Sequence, residues 1–302
     1  MLKKNLLAAV LIGTMASASA APLLSKHVLV VEDDSGQVLY QRNANATVPI
    51  ASITKLMTAM VVLDSNPDMD ELISIDNPDI ATRMRSHSRL PVGAMMPRRT
   101  VLQLALMSSD NRAAQSLANA YPGGMDAFLA AVAAKEQELG MTQTHIEEPT
   151  GLSPNNRSTP SDLVKMARAA AEYPDIARIT TDSGDVVDVN GRPLEYHNTN
   201  RLVGKKGWED ILLSKTGTTN AAGRCLVMRM QAAGKTVTMV LLNARAGAAR
   251  FLDAMKLRSL VSGETSVAML DTPSASPRHS RATTRYVKGH KRARLTLASR
   301  TA

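Results

Sequence analysis

Strand-like segments near both ends of the chain enclose a run of helical patterns, and this order restricts the folds that the chain can adopt. Residues 27–50 have the pattern of two strands joined by a turn at 34–36. Residues 210–244 contain further apolar strands, the last of them linked at 233–234. We therefore predict an α+β fold in which strands from both chain ends share one antiparallel sheet that carries a helical subdomain.

Helices of the middle region are predicted from apolar spacing and from residues that start or stop helices. Thr100 is a suitable N-cap for a helix that ends before the polar residues at 108–111. Thr159 followed by Pro160 favours a helix start, and Pro174 is expected to end that helix, after which strands return. The remaining helices are predicted over 112–120, 125–139 and 248–263.

The first residues of the chain have the three parts of an export signal. Lys3 and Lys4 precede a short apolar run over 6–12, and the small residues at 18–20 form a cleavage site. The run is too short to span a bilayer, and no later stretch reaches the required length. We expect residues 1–20 to be removed and the mature protein to be periplasmic, without a transmembrane anchor.

Most of the positive charge lies outside the body of the chain. The net charge is +9, but residues 274–302 hold eight Lys or Arg and no acid, and two more Lys lie in the signal. The body, predicted as one domain over 21–270, is therefore close to neutral. The tail, 271–302, is predicted to be disordered. It either has no role or makes an electrostatic contact with an anionic wall or membrane; nucleic acid is not an expected partner of an exported protein.

Cysteine and histidine usage argues against two kinds of site. The single cysteine, Cys225, cannot form an intramolecular disulfide or a cysteine-based metal site, and its apolar neighbours favour a buried position. The six histidines show neither the H-E-x-x-H pattern nor another tight ligand spacing. We therefore expect neither a metal nor a cofactor.

One S-x-x-K pattern, Ser52 to Lys55, lies at the start of an apolar helix predicted over 49–63. On a helix, residues three apart share a face, so the hydroxyl and the amine are neighbours. The helix N-terminus favours a developing alkoxide on Ser52, while burial favours the neutral amine of Lys55. Lys55 is then a general base for a serine nucleophile. Taken alone, the pattern favours a simple N-cap at Ser52 with an exposed Lys55.

Two further motifs supply the groups that a Ser–Lys pair needs. Ser109 and Asn111 lie where one predicted helix stops and the next begins, so both side chains can project into a cleft. Lys215, Thr216 and Gly217 form K-T-G on a predicted strand, where the glycine lets a substrate backbone lie against the strand.

Together, S-x-x-K, S-D-N and K-T-G are the motif set of penicillin-binding proteins and class A β-lactamases. The chain resembles the low-molecular-mass penicillin-binding proteins, and among them the D-alanyl-D-alanine endopeptidases of the penicillin-binding protein 7 type. The resemblance extends over about 28–260 and includes the segments EPTGLS, HNTNRLV and KTGTTNAAGRCLVMR. Asp110 departs from it, since the closest relatives are expected to have glutamate there. The resemblance implies a β-lactamase/transpeptidase-like fold.

The resemblance also implies residue roles in a two-step acyl transfer at peptidoglycan peptides. Ser52 would attack the D-alanyl carbonyl with Lys55 as base, and Ser109 would relay a proton to the leaving amine. The backbone N–H groups of Ser52 and Thr218 would hold the oxyanion. β-Lactams would acylate Ser52, and the resulting acyl-enzyme would deacylate slowly. The substrate would be bound by Asn111, Lys215, Thr216, Gly217, Thr218 and, as a weaker candidate more typical of a surface arginine, Arg250. A positive Lys215 would keep Lys55 neutral.

Three alternatives to an endopeptidase remain open from the sequence. A D-alanyl-D-alanine carboxypeptidase that acts on uncross-linked stem peptides uses the same catalytic residues. About forty residues follow the last predicted helix, too few for the second domain of the main carboxypeptidase branch. A β-lactamase would need a deacylating glutamate, but Glu148 lacks the E-P-x-x-N spacing. A non-catalytic wall-binding protein would not need the intact motifs, and aromatic residues make up only 3% of the chain, too few for a sugar-stacking platform.

Overall fold

The computed structural model describes residues 22–76 and 88–271. The predicted signal peptide (1–20) and the predicted basic tail beyond residue 271 lie outside the described residues. In the described ranges, no helix combines the length and the apolar character that a membrane crossing requires.

The main sheet has five antiparallel strands taken from both ends of the described chain. In chain order they are β1 (His27–Glu32), β2 (Val38–Arg42), β9 (Ile211–Thr219), β10 (Gly223–Ala232) and β11 (Lys235–Ala244). Their order across the sheet is β2-β1-β11-β10-β9, so the first and last strands of the chain are neighbours at its centre. This arrangement confirms the predicted α+β plan, and it leaves β9 at an edge.

Three short strand pairs surround the main sheet. They are β3 (Val48–Pro49) with β6 (Arg157–Ser158), β4 (Leu72–Ser74) with β5 (Met95–Pro97), and β7 (Gly184–Val189) with β8 (Arg192–His197). The helical elements are a 3₁₀ turn (Ala51–Thr54), α1 (Lys55–Asp64), α2 (Arg98–Leu106), α3 (Asn111–Asn119), α4 (Gly124–Glu138), α5 (Pro160–Ala171), α6 (Pro174–Thr181), α7 (Ala249–Val261) and α8 (Val267–Asp271).

Helices cover both faces of the main sheet, and the alternation along β1 shows which residues face each side. Leu29 and Val31 join the core that includes α1 and α5, whereas Val28 and Val30 join the core that includes α7. Strands that are covered on both faces have nearly continuous apolar sequences, and β10 and β11 have such sequences. The helix α1 is buried over most of its length, and it carries Lys55 into the larger core.

The structure corrects two predictions about helix boundaries. Thr100 is not an N-cap, because α2 begins at Arg98 directly after β5. The N–H groups of Arg98 and Arg99 donate to the carbonyls of Glu71 and Met69, so no side-chain cap is needed at this end.

Pro174 separates two helices instead of leading into strands. It starts α6, since its fixed φ and missing N–H suit the first helical position. The hairpin of β7 and β8 then precedes β9, and the sequence analysis predicted neither α6 nor this hairpin. The predicted cap of Thr159 on α5 is confirmed by its side chain, which accepts from the Asp162 N–H at 3.1 Å.

Candidate active site

Ser52 lies in the 3₁₀ turn that leads into α1, and the backbone of this turn packs closely against Gly151 and Gly217. An added Cβ on Gly217 of β9 would lie 3.0 Å from the Ser52 nitrogen, and one on Gly151 would lie 2.0 Å from the Ala51 oxygen. Ala51 has a φ of 49°, a left-handed conformation that costs energy for a residue with a side chain. Ser52 is not an N-cap; Ile50 holds that position without a side-chain hydrogen bond.

Lys55 is buried beneath Ser52, and its amine lies within hydrogen-bond distance of three oxygens. Its Nζ lies 3.0 Å from Ser52 Oγ, and it donates to Asn111 Oδ1 at 2.6 Å and to the Thr150 carbonyl at 2.7 Å. A neutral amine has two N–H bonds and one lone pair. The two oxygens that only accept fix both N–H bonds, so the lone pair is left facing the Ser52 hydroxyl. This is the geometry of a general base beside its nucleophile.

Burial lowers the pKa of Lys55 to about 8, because the charged ammonium loses its hydration. The carboxylates of Glu148 and Asp110 act in the opposite direction and raise it. A pKa of about 8 leaves a minor but useful fraction of neutral amine at neutral pH.

Glu148 organises the loop that presents Thr150 to Lys55. Its two carboxylate oxygens accept from the N–H groups of Thr150 at 2.7 Å, Gly151 at 2.6 Å and Ser153 at 3.2 Å. They also accept from Thr150 Oγ1 at 2.5 Å and from Asn156 Nδ2 at 2.9 Å. These hydrogen bonds fix the loop 148–156 next to the 3₁₀ turn. Sequence reasoning considered Glu148 only as a deacylating residue and missed this role.

The corner between α2 and α3 brings Ser109 and Asn111 to the cleft. Ser109 has a φ of 59°, a left-handed conformation of the kind that clusters at functional sites. Asp110 is the N-cap of α3: its Oδ1 accepts from the Ala113 N–H at 3.1 Å, and its Oδ2 accepts from Ser88 Oγ at 2.7 Å. Aspartate is a preferred N-cap, which accounts physically for the acid at this position.

Lys215 is fully buried on β9 and its Nζ donates to Ser109 Oγ at 2.8 Å. Burial lowers the pKa of Lys215 well below its usual value, and the positive charges of Lys55 and Arg250 lower it further. The lowered pKa of Lys55 agrees in direction with its predicted neutral form, and the pKa of the predicted charged partner, Lys215, is lowered as well. Lys55 has two nearby carboxylates that favour its charged form, whereas the groups acting on Lys215 are cations.

Arg250 is buried at the start of α7 and not on the surface as its position had suggested. Its Nη1 donates to the Gly217 carbonyl at 3.0 Å and to Thr218 Oγ1 at 2.9 Å. Thr216 Oγ1 lies 2.6 Å from Thr199 Oγ1. Thr199 was not predicted as a site residue, although it lies in the segment HNTNRLV that carried part of the resemblance.

An open cleft of about 240 Å³ lies in front of Ser52. Eight residues line it: Ser52, Ser109, Asn111, Thr199, Thr216, Gly217, Thr218 and Arg250. The two lysines lie beneath this surface. Because β9 is the edge strand, part of its backbone hydrogen-bonding capacity is available to an extended peptide laid along it.

The chain is similar in sequence to curated D-alanyl-D-alanine endopeptidases. It is 45% identical to the one from Pseudomonas aeruginosa, with 82% of this chain and 83% of that protein covered. It is 42% identical to the one from Escherichia coli, with 81% of this chain and 79% of that protein covered.

Solved structures share the fold. The Streptomyces K15 DD-transpeptidase superposes with a TM-score of 0.74 at 26% identity, covering 80% of this chain and 99% of that one. Penicillin-binding protein D2 from Listeria monocytogenes, in its cefotaxime-bound form, has a TM-score of 0.68 at 25% identity, covering 79% and 97%. The family profile described as D-alanyl-D-alanine carboxypeptidase (peptidase S11) matches residues 14–246. This chain, with its Ser–Lys pair and K-T-G strand around one cleft, belongs to the S11 peptidase family.

Proposed function

We propose that this protein is a serine DD-peptidase that hydrolyses D-alanyl cross-links in peptidoglycan through an acyl-enzyme on Ser52. One observation carries the proposal: Lys55 Nζ lies 3.0 Å from Ser52 Oγ while two oxygens fix its N–H bonds. The substrate class comes from the family and from the two endopeptidases at 45% and 42% identity.

Acylation begins when Ser52 Oγ attacks the D-alanyl carbonyl carbon and its proton moves to Lys55 Nζ. The carbonyl π electrons move to oxygen, and the resulting oxyanion is placed between the backbone N–H groups of Ser52 and Thr218. Gly217 supports this placement, since the absence of a side chain lets β9 lie against the Ser52 nitrogen.

Collapse of the tetrahedral intermediate expels the amine, which must receive a proton. Ser109 is proposed to deliver it, and the 2.8 Å contact from Lys215 Nζ supports Lys215 as the group that reprotonates Ser109. Lys55 then passes the proton it took from Ser52 to the Ser109–Lys215 pair, so the proton given to the amine is replaced and Lys55 is neutral again. Water attacks the ester with Lys55 as base, and Ser52 leaves with a proton that Lys55 returns to it.

The carboxylate next to the scissile bond is proposed to bind near Arg250, Thr216 and Thr218. These side chains converge on one end of the cleft, and Arg250 provides positive charge there. Asn111 is proposed to contact the substrate backbone while its Oδ1 holds Lys55, which would couple substrate binding to the position of the base.

A β-lactamase activity is less well supported than a peptidase activity. Glu148 accepts five hydrogen bonds from its own loop and from Asn156, so its carboxylate is committed to structure and is not available to activate water. A D-alanyl-D-alanine carboxypeptidase remains the second candidate, because the family profile carries that description.

We also propose that the protein acts in the periplasm after removal of residues 1–20, and that the basic tail contacts the cell wall. The charge of residues 274–302 supports the second point. Deletion of this segment is expected to weaken co-sedimentation with cell walls at low salt; unchanged sedimentation would contradict a tethering role.

Two measurements test the proposed function. A fluorescent penicillin is expected to label the wild type and not Ser52→Ala, and an unlabelled wild type would contradict the acyl-enzyme. Purified muropeptides then separate the two peptidase activities. Cleavage of cross-linked dimers supports the endopeptidase, whereas loss of terminal D-alanine from monomers alone supports the carboxypeptidase.

A further inference from the structure

Two arginines, Arg201 and Arg224, flank the Arg250 end of the cleft without a carboxylate partner among the described residues. Some other arginines of the described body do pair with carboxylates. Arg98 pairs with Glu71, and Arg258 pairs with Asp210 at 2.6 Å. Arg201 and Arg224 therefore place two positive charges near Arg250 that no carboxylate of the described residues neutralises.

The strand register places Arg224 beside the cleft. Arg224 on β10 is directly opposite Thr218 on β9, and directly opposed residues point to the same face with Cα atoms about 4.5–5.5 Å apart. Thr218 lines the cleft, so the Arg224 side chain starts from the same side of the sheet. Its Nη1 donates to the Arg245 carbonyl at 3.3 Å, which holds the guanidinium at the end of β11.

Arg201 lies near the Arg250 end of the cleft on the side lined by Thr199. It follows two residues after Thr199, a separation of at most about 7 Å along the chain. Thr199 is fixed by its contact with Thr216 and by its N–H, which donates to the Met107 carbonyl at 3.1 Å. The Arg201 side chain is exposed, so it is accessible to a ligand in the cleft.

The positive charges of Arg201 and Arg224 act on Arg250, which lines the cleft. Partial burial lowers the pKa of Arg250 to about 10, and the positive charges of Arg224 and Arg201 contribute to that lowering. Neighbouring cations that have no protein carboxylate beside them repel one another, and an anionic ligand that binds to them reduces this repulsion.

We propose that Arg201 and Arg224 form a second carboxylate subsite beside Arg250, which binds an additional carboxylate of a cross-linked peptide. The inference rests on the proposed function and names how the enzyme selects its substrate. A cross-link joins two peptides, and the second peptide keeps main-chain carboxylates that an uncross-linked monomer does not bring to this end of the cleft. The guanidinium group suits carboxylate recognition because it presents paired N–H donors.

The experiment compares kcat/KM for a cross-linked muropeptide dimer with kcat/KM for a monomeric pentapeptide. In the double variant Arg201→Gln/Arg224→Gln, the dimer-to-monomer ratio is expected to fall about threefold to tenfold, the effect of two exposed charge pairs. Rising NaCl is expected to lower the ratio in the wild type and to have less effect in the double variant. Titration with penicillin gives the concentration of active enzyme in each preparation.

The matched control is Arg99→Gln, which removes the same charge from an exposed side chain that pairs with Asp70. Its ratio is expected to equal that of the wild type. A double variant with an unchanged ratio, in a wild type that cleaves dimers, would overturn the subsite alone. A wild type that is titrated by penicillin but cleaves only monomers would overturn the endopeptidase and the subsite together.

Discussion

Replacement of Gly151 by alanine tests how closely the reaction depends on the loop next to Ser52. The added Cβ would lie 2.0 Å from the Ala51 oxygen and 2.7 Å from the Ser52 nitrogen. Both are backbone atoms, so no side-chain rotation can relieve the overlap. Either the loop or the 3₁₀ turn that carries the nucleophile must move.

The size of the required movement predicts the size of the effect. A Cβ contact shorter than 3.0 Å is essentially never seen, so the two segments must separate by at least about 1 Å. Thr150 precedes Gly151 and its carbonyl holds Lys55 Nζ at 2.7 Å, so the movement displaces the base from Ser52. A displacement of about 1 Å at a reacting group can cost about 100-fold in rate. We therefore expect the acylation rate to fall about 100-fold.

The assay is the second-order rate of labelling by a fluorescent penicillin, with circular dichroism and thermal unfolding to check the fold. Gly93→Ala is the matched control. Gly93 has a φ of +81° against +82° for Gly151, but an added Cβ would meet nothing within 4 Å. Both variants carry the cost of a left-handed alanine, about 1–2 kcal/mol, and only Gly151→Ala has the clash. Equal acylation rates in the two variants would refute the reasoning.

Four further outcomes are expected. Acylation by penicillin rises with pH through about 8, because the neutral amine of Lys55 is the base and its pKa is lowered to that value; a rate that falls over pH 6–8 would contradict this. Ser109→Ala lowers dimer hydrolysis about 100-fold or more in steady-state assays while leaving the melting temperature within a few degrees, since Lys215 loses its relay partner. Asp253→Ala lowers the free energy of unfolding by roughly 3 kcal/mol in urea titrations, because the buried carboxylate accepts from the N–H groups at residues 24 and 25; an unchanged value would mean that the N-terminal segment is held by other contacts. Burial raises the pKa of Glu136 to about 7 from its usual 4.5, so the contribution of this carboxyl to the free energy of unfolding is lost as pH rises from 4.5 through about 7. Glu136→Gln removes this loss and is expected to raise the melting temperature at pH 8 and not at pH 4.5.

Several features of the site followed from local sequence. The S-x-x-K spacing alone places Ser52 and Lys55 on one face of a helix turn, and their contact is 3.0 Å. The turn between β10 and β11 and the start of α5 were also predicted, because turn residues and caps act over a few residues. The sheet shared by both chain ends was predicted from the order of strands and helices along the chain.

Other features depend on contacts between distant segments, and no local pattern encodes them. Arg98 starts α2 because the carbonyls of residues 69 and 71 accept from the first N–H groups of that helix. The burial of Arg250 depends on its contacts with Gly217 and Thr218 of β9, which are distant in the sequence, so its sequence position had suggested an ordinary surface residue.

The sequence by itself determined which groups take part: a serine, two lysines, a second serine and a glycine on a strand. Only the tertiary structure decided their protonation and orientation. Burial lowers the pKa of both lysines, and Glu148 and Asp110, which approach from separate loops, favour the charged form of Lys55 over that of Lys215. Charge depends on every neighbour within several ångströms, and those neighbours are brought together by the fold and not by their order in the chain.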